Sequence, residues 1–267
     1  MSPVFYRDVR VKRLEDFGRP DGVVIPELPV GAREGHVVLL DGRAMATPFG
    51  NLLVLPSKSL AVGLAGEWAA QEDRIKPALM PLMTLCTTAL DIVPVTRLKT
   101  VNDIVKFLST DTVTFFADAT QEPGLREMQE EAFPPAMEWF ERRFGVRLVS
   151  NLTRKDVGIA FAQPPELAEA VRAQVAEMND WELSVLDRAS GEAKSTVIAT
   201  MLCAGALSAR DALDACKTEE RYQMTRWGDI PHWHGIDFGL TRTLLSAVQF
   251  YSLCLRQDGV APRLAKQ

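Results

Sequence analysis

His36-Val37-Val38-Leu39-Leu40-Asp41-Gly42-Arg43-Ala44-Met45-Ala46 decides how the chain begins. An apolar run, an Asp-Gly pair and a second short run form the pattern of a β-hairpin, because so tight a turn needs positive φ where Asp and Gly tolerate it. Before it, Phe5 to Val11 alternates as a strand; after it, Leu52 to Leu55 supplies another short one. Lys12 to Gly35 lies between the first strand and the hairpin. It is rich in Pro, Gly and charge and reads as a long loop, a mobile surface insertion whose shortening should leave folding nearly intact.

Helices then take over. Ser57 is placed to cap a helix carrying Leu60, Leu64 and Trp68, and Pro81 opens another with Leu82, Leu85, Ala89 and Ile92 at helical spacing. Thr112 to Phe116 reads as one further strand. Phe133, Met137, Phe140 and Phe144 form a stripe closed by Gly145, and Leu167, Val171, Val175 and Met178 form another. Asp180 begins a helix with Trp181 and Val185, Ser208 with Asp211 resembles a capping box, and Leu244, Val248, Tyr251 and Leu255 mark the last amphipathic helix. Strands grouped before helices predict an α+β fold. We expect a small β-containing N-terminal domain over 1–95 and a larger, mainly α-helical C-terminal domain over 96–267.

Composition narrows the function. With 267 residues, 47% of them hydrophobic, the chain can bury a sizeable core, and its 24% charged fraction is that of a globular protein. Lys and Arg number 30 against 35 Asp and Glu, a net charge of -5 without the basic excess that displaces counterions from nucleic acid. Cys86, Cys203, Cys216 and Cys254 are scattered in apolar contexts, which suits a reducing compartment and forms neither a metal nor a disulfide framework. In such a compartment Asn151-Leu152-Thr153 reads as a chance sequon. The longest apolar stretch, Ser195 to Leu207, is 13 residues long, short of the ~20 a membrane span needs, so it is expected to be a core helix. No presequence pattern precedes Phe5: either none is needed or the sequence starts after one.

The chain holds no GxGxxG, GxxxxGK[ST], GxSxG or HExxH. His232 and His234 form an HxH after Pro231 but lack a Cys or a patterned carboxylate pair, so they read as loop histidines rather than metal ligands. Trp68, Trp139 and Trp181 fall on helical stripes and are expected to pack in the core. One place departs from the ordinary pattern. On a helix through Asp211 to Trp227, the residues Leu213, Cys216, Glu220, Met224 and Trp227 share one side. Glu220 interrupts an apolar line and must be paired, protonated or facing something outside. It reads as a salt bridge to an internal Arg, as a helix that rotates out of the core there, or as contact with a partner.

At these residues the sequence resembles a known family. Glu219-Glu220-Arg221-Tyr222-Gln223 followed by Trp227-Gly228 is similar to the Glu-x-aromatic-Gln…Trp-Gly signature of the alpha-subunit chaperones of mitochondrial ATP synthase, the assembly factor 2 family. The similarity runs in order along nearly the whole chain: Phe5-Tyr6, Leu40-Asp41-Gly42-Arg43, Thr47-Pro48, Leu55-Pro56-Ser57, Glu67-Trp68, Gln71, Met80-Pro81-Leu82, Asp91, Thr110-Asp111-Thr112, Gln129, Trp181 and Lys194-Ser195. Two departures stand out. The stretch from Lys12 to Gly35 is longer than the family's step from strand to hairpin, and Gly235 stands where an acidic residue usually follows the family's His, here His234.

The resemblance implies a β-then-helical fold without catalytic activity, cofactor or metal. It implies binding of the free ATP synthase alpha subunit in the mitochondrial matrix until beta subunits displace it. Glu219, Glu220, Gln223 and Trp227 would contact that partner. No nucleic acid or membrane insertion is expected, and the free protein is expected to be monomeric. The competing readings are a hydrolase using His232 or His234 and a structural subunit of a larger complex.

Overall fold

The hairpin forms where its residues place it. Asp41 and Gly42 take φ of 48° and 80°, and strands β2 (His36–Leu40) and β3 (Arg43–Ala44) pair Leu40 with Arg43 and Leu39 with Ala44. The structure is a computed structural model that describes residues 2–18, 24–153, 161–228 and 233–263; His232 and the side chain of His234 lie outside the described residues.

β1 covers Val9–Arg13, antiparallel to β2, rather than starting at Phe5. The shift has a cause at the turn: Asp41 Oδ1 accepts the backbone N–H groups of Arg7 (3.0 Å) and Asp8 (2.9 Å), so residues 7 and 8 wrap the hairpin tip. β4 (Val54–Leu55) pairs with the first residues of β2 on the β3 side, completing a four-stranded antiparallel sheet. Every residue of β2 is buried. α2 (Lys58–Ala69), capped by Ser57 whose Oγ accepts from Leu60 N (3.2 Å), packs on the sheet. Val37 and Leu39, with Leu52 and Val54, are covered on the other side by Leu14, Phe17, Ile25 and Leu28. These four come from the stretch read as a mobile loop. It contains the short helix α1 (Leu14–Phe17), and Leu52 N donates to Val24 O (2.8 Å). That expectation is corrected: the segment supplies the second cover of a strand apolar at successive positions.

The chain divides into two compact units. The first comprises 1–97 with the short segments 178–185 and 250–266; the second comprises 98–177 and 186–249. In the first, α3 (Pro81–Thr87) passes through a π turn at Thr88–Ile92 into α4 (Val93–Lys106). Glu67 supplies the missing cap of α3, accepting from Leu82 N (2.7 Å) and Met83 N (2.9 Å). Asp91 accepts from Thr47 Oγ1 (2.7 Å), Phe49 N (3.1 Å) and Asn51 Nδ2 (2.9 Å), which ties the 47–51 loop to the π turn. The 178–185 segment is held by Glu182, which accepts from Asn179 N (3.0 Å) and Arg263 N (2.8 Å), and by Trp181 stacking on Tyr251.

The second unit is helical. α5 (Pro123–Phe144) buries Phe133 and Phe140 and ends at Gly145 in the left-handed conformation; α6 (Pro165–Ala176) buries Leu167, Val171 and Val175. α7 (Asp180–Ala193) leads into α8 (Thr196–Ala204), buried along nearly its whole length as expected for a core helix. Thr112 to Phe116 is not a strand. Thr112–Thr114 is a 3-10 turn because Asp111, itself fully buried, accepts from Val113 N (3.3 Å) and from Val197 N (3.1 Å), while Thr112 N bonds to Lys194 O (3.1 Å). Three helices follow: α9 (Ala209–Cys216), α10 (Thr218–Trp227) and α11 (Trp233–Gln257). All four cysteines are free and buried.

Two outcomes follow from this arrangement. Ile25→Ala combined with Leu28→Ala uncovers one face of β2 and should cost about 2–4 kcal/mol in denaturant unfolding; a loss under about 0.5 kcal/mol would mean the segment rides on the sheet without stabilising it. The second concerns pH. Burial raises the Glu67 carboxyl to about 7 against the opposing pull of the Leu82 and Met83 N–H groups, and raises Asp111 to about 6. A carboxyl whose folded pKa is raised favours folding most when protonated, and this contribution is lost as pH rises through the folded value. Stability should therefore fall with rising pH from about 4.5 to about 7 on account of Glu67. Glu67→Gln should flatten that slope; the same slope in the variant would assign it to other groups.

Candidate partner-binding surface

The sequence expectation of one helix from Asp211 to Trp227 is corrected by a bend at Lys217, where φ is -108° and ψ 20°. Ser208 caps α9, accepting from Asp211 N (3.1 Å) and donating its hydroxyl to Asp211 Oδ2 (2.6 Å). Ten residues after Ser208, Thr218 Oγ1 donates back to the carbonyls of Asp214 (3.1 Å) and Ala215 (2.9 Å). Such back-bonding competes with the helical ladder and bends it. The apolar line therefore does not stay buried. Cys216 is in the core, Leu213 and Met224 are half-buried, and Trp227 is 68% exposed.

Glu220 does not stand alone. Its Oε1 lies 3.4 Å from Lys217 Nζ, which also bonds Asp237 Oδ2 on α11 at 2.6 Å and sits over the Phe238 ring at 5.7 Å. Lys217 is buried while both carboxylates reach solvent. Burial disfavours its charge, but the bonds to Asp237 and Glu220 outweigh this and hold its pKa above the ordinary value. The internal cation is thus a lysine where the salt-bridge reading supposed an arginine. Neither Lys217 nor Asp237 was singled out from the sequence. A basic residue immediately before a helix rich in Glu was the available signal.

The remaining site residues occupy another side of α10. Glu219, Gln223 and Trp227 recur every four residues and share one face, with Gln223 Nε2 donating to Glu219 Oε1 (3.1 Å). This face is carried on a fixed base. Tyr222 donates its hydroxyl to Glu122 Oε2 (2.8 Å), just before α5, and Arg226 pairs with the same oxygen. Gly124 allows the approach, since a Cβ there would come within 3.0 Å of the Tyr222 ring. The Arg226 guanidinium also lies 5.4 Å from the centre of the Trp227 ring. Asp214 and Arg221 pair at 2.6 Å across the bend. On α11, Ile236 and Leu240 flank Asp237 and are 60% and 50% exposed. The structure thus joins Glu219 to Gln223, leaves Trp227 outward on the same stripe, and turns Glu220 toward Lys217.

Chemically, the surface presents a large indole, exposed aliphatic groups and carboxylates that already have partners. Among the described residues no group of three or more His, Cys, Asp or Glu is placed to hold a metal ion, and no helix is long and apolar enough to cross a membrane.

Residues 4–141 match the family described as ATP12 chaperone protein. The chain is 30% identical over 234 residues to "Protein atp12, mitochondrial" from Schizosaccharomyces pombe, covering 84% of this chain and 79% of that protein. Its fold is shared with the crystal structure of Atp12 from Paracoccus denitrificans, at a TM-score of 0.75 and 23% identity, over 95% of this chain and 98% of that one. It is shared equally with a chaperone-like protein from Agrobacterium tumefaciens, at a TM-score of 0.77 and 24% identity, over 95% and 86% of the two chains. The strands, the helices and the sequence agree: this chain belongs to the ATP12 chaperone family.

Proposed function

We propose that the protein is a non-enzymatic assembly chaperone of the mitochondrial matrix that holds the free alpha subunit of ATP synthase. It masks a subunit interface until the true neighbour displaces it. Membership of the ATP12 chaperone family and a relative named as mitochondrial support this reading. A subunit destined for an alternating ring exposes apolar interfaces that self-associate when unpaired. The observation that carries the proposal is the α10 stripe. Trp227, at 68% exposure, stands out from a helix whose other side is tied down by Tyr222 and Arg226 on Glu122. An exposed indole on a fixed base costs little further ordering when it docks, which is the usual character of a binding hot spot. Glu219 and Gln223 beside it, and Glu220 within the Lys217 cluster, would recognise a basic group set in an apolar patch.

Fold and binding are separable in this surface. Trp227→Ala and Glu219→Gln change exposed side chains and should alter denaturant stability by less than about 0.5 kcal/mol. Suppression of alpha-subunit aggregation should nevertheless weaken, with a binding loss of about 2 kcal/mol for the indole. Full protection by Trp227→Ala would remove α10 from the interface. Glu220→Gln leaves Lys217 its bond to Asp237, so its stability cost should stay below about 1 kcal/mol. A pull-down from mitochondria should recover alpha subunit without beta, and purified protein should hydrolyse no nucleotide above background. Recovery of intact alpha–beta assemblies would favour a structural subunit.

A further inference from the structure

In the first unit, Phe5, Tyr6, Leu40, Met45, Trp68 and Met83 line a largely apolar cleft of about 650 Å³ that also takes in residues 43–48. Its walls are ordered: Tyr6 donates its hydroxyl to Trp68 O (2.7 Å) and the two rings meet edge to face. Phe5 at the cleft is 69% exposed. The indole N–H of Trp68 has no acceptor among the described residues.

One side of this cleft is an open strand edge. Met45 N donates to Val38 O (3.1 Å), so the Leu39–Ala44 pair is of the non-hydrogen-bonded kind and the Ala44 N–H and C=O point away from β2. Met45 O then accepts from Leu53 N (2.9 Å) and Thr47 N donates to Asn51 O (2.8 Å), which places Ala46 opposite Leu52 with its own peptide groups turned outward. Ala44 and Ala46 thus present donors and acceptors two residues apart, the repeat of a β-ladder. The edge is held in this shape by Asp91, through Thr47, Phe49 and Asn51.

We infer that this edge and cleft form a second client-binding site, which takes an extended segment of the client chain as an added strand at Ala44–Ala46 and one of its apolar side chains in the pocket of Phe5, Tyr6, Trp68 and Met83. Helices and compact surfaces have no free main-chain groups to offer such an edge, whereas an unpaired strand of an unassembled subunit does. Main-chain bonds supply affinity independent of sequence, and the pocket supplies selectivity. For a holdase this covers a strand edge that would otherwise seed aggregation.

The inference rests on the reading of the protein as an alpha-subunit chaperone, and the experiment separates the two. Hydrogen exchange of the full chain is followed with and without free alpha subunit, alongside suppression of alpha-subunit aggregation. The Ala44 and Ala46 amides should exchange at least about tenfold more slowly in the complex. Ala46→Pro deletes one outward donor and should weaken binding about fivefold, the worth of roughly one hydrogen bond. Phe5→Ala should weaken it as well with an unchanged denaturation midpoint. If alpha subunit is protected from aggregation while exchange over 43–48 is unchanged, the site is wrong though the function stands. If alpha subunit does not bind at all, the function reading falls and takes this site with it. Protection that appears without alpha subunit and grows with the protein's own concentration, together with dimers in sedimentation, would mean that the edge pairs with a second copy, and would overturn the assignment. Should Ala46→Pro fail to fold, the exchange comparison on the unaltered protein decides.

Discussion

A carboxylate that accepts backbone N–H groups recurs at five places where this chain breaks one element and starts another. Asp41 takes Arg7 and Asp8 at the hairpin tip, Glu67 takes Leu82 and Met83 at the start of α3, and Asp91 takes Phe49 at the π turn. Asp111 takes Val113 and Val197 before α8, and Glu182 takes Asn179 and Arg263. An unsatisfied buried N–H costs about 1–3 kcal/mol, so the bonds made inside the fold, such as that of Asp111 to Val197, remove a penalty as well as adding an attraction. Because the acceptors are far in sequence from most of the donors, they fix where segments meet rather than merely capping local helices. The raised pKa values of Glu67 and Asp111 reflect the other side of the exchange: partial burial of Glu67 and full burial of Asp111 make ionisation costly.

This division of labour clarifies what the surface is free to do. Side chains such as Tyr6, Glu67, Asp91, Asp111 and Ser195 are committed to internal bonds. Trp227, Ile236 and Leu240 are not buried by the fold. The Lys217 cluster stands between these classes, since it joins α10 to the start of α11 while leaving its two carboxylates at the surface. A chaperone needs this combination. Its recognition face must be ordered enough to bind without a large entropy cost, yet expose apolar area that a monomeric globule would ordinarily bury.

Much of the fold was legible in local patterns. The Asp-Gly turn, the Ser57 and Ser208 caps, the Phe133–Phe140 stripe and the buried α8 all appear where spacing and capping chemistry put them. Where reading along the chain failed, a distant partner had decided. Thr112 to Phe116 has strand-forming residues, but the bonds of Asp111 and Lys194 wind it into a 3-10 turn. The stretch after β1 looked like a loop because it is rich in Pro, Gly and charge, and its sparse Leu14, Phe17, Ile25 and Leu28 have no helical or strand period. The missed clue was in β2 itself: five buried positions in succession, without alternation, require a cover on both faces.

The sequence by itself determined the turns, the caps, the helical stripes and the order of strands before helices, because these depend on φ preferences and on spacings of a few residues. It also marked Glu220 as unusual, since a carboxylate in an apolar line is visible from periodicity alone, while Glu219, Gln223 and Trp227 were picked out by the family resemblance of their motif. Only the tertiary structure decided that the helix bends at Lys217, that Glu220 turns to a lysine shared with Asp237, and that Trp227 stays in solvent. It likewise decided which peptide groups of the hairpin edge are left open. The reason is one of range: a side chain's preference for helix or strand is set by its own backbone, but its burial and its partner are set by whatever segment arrives from elsewhere in the chain.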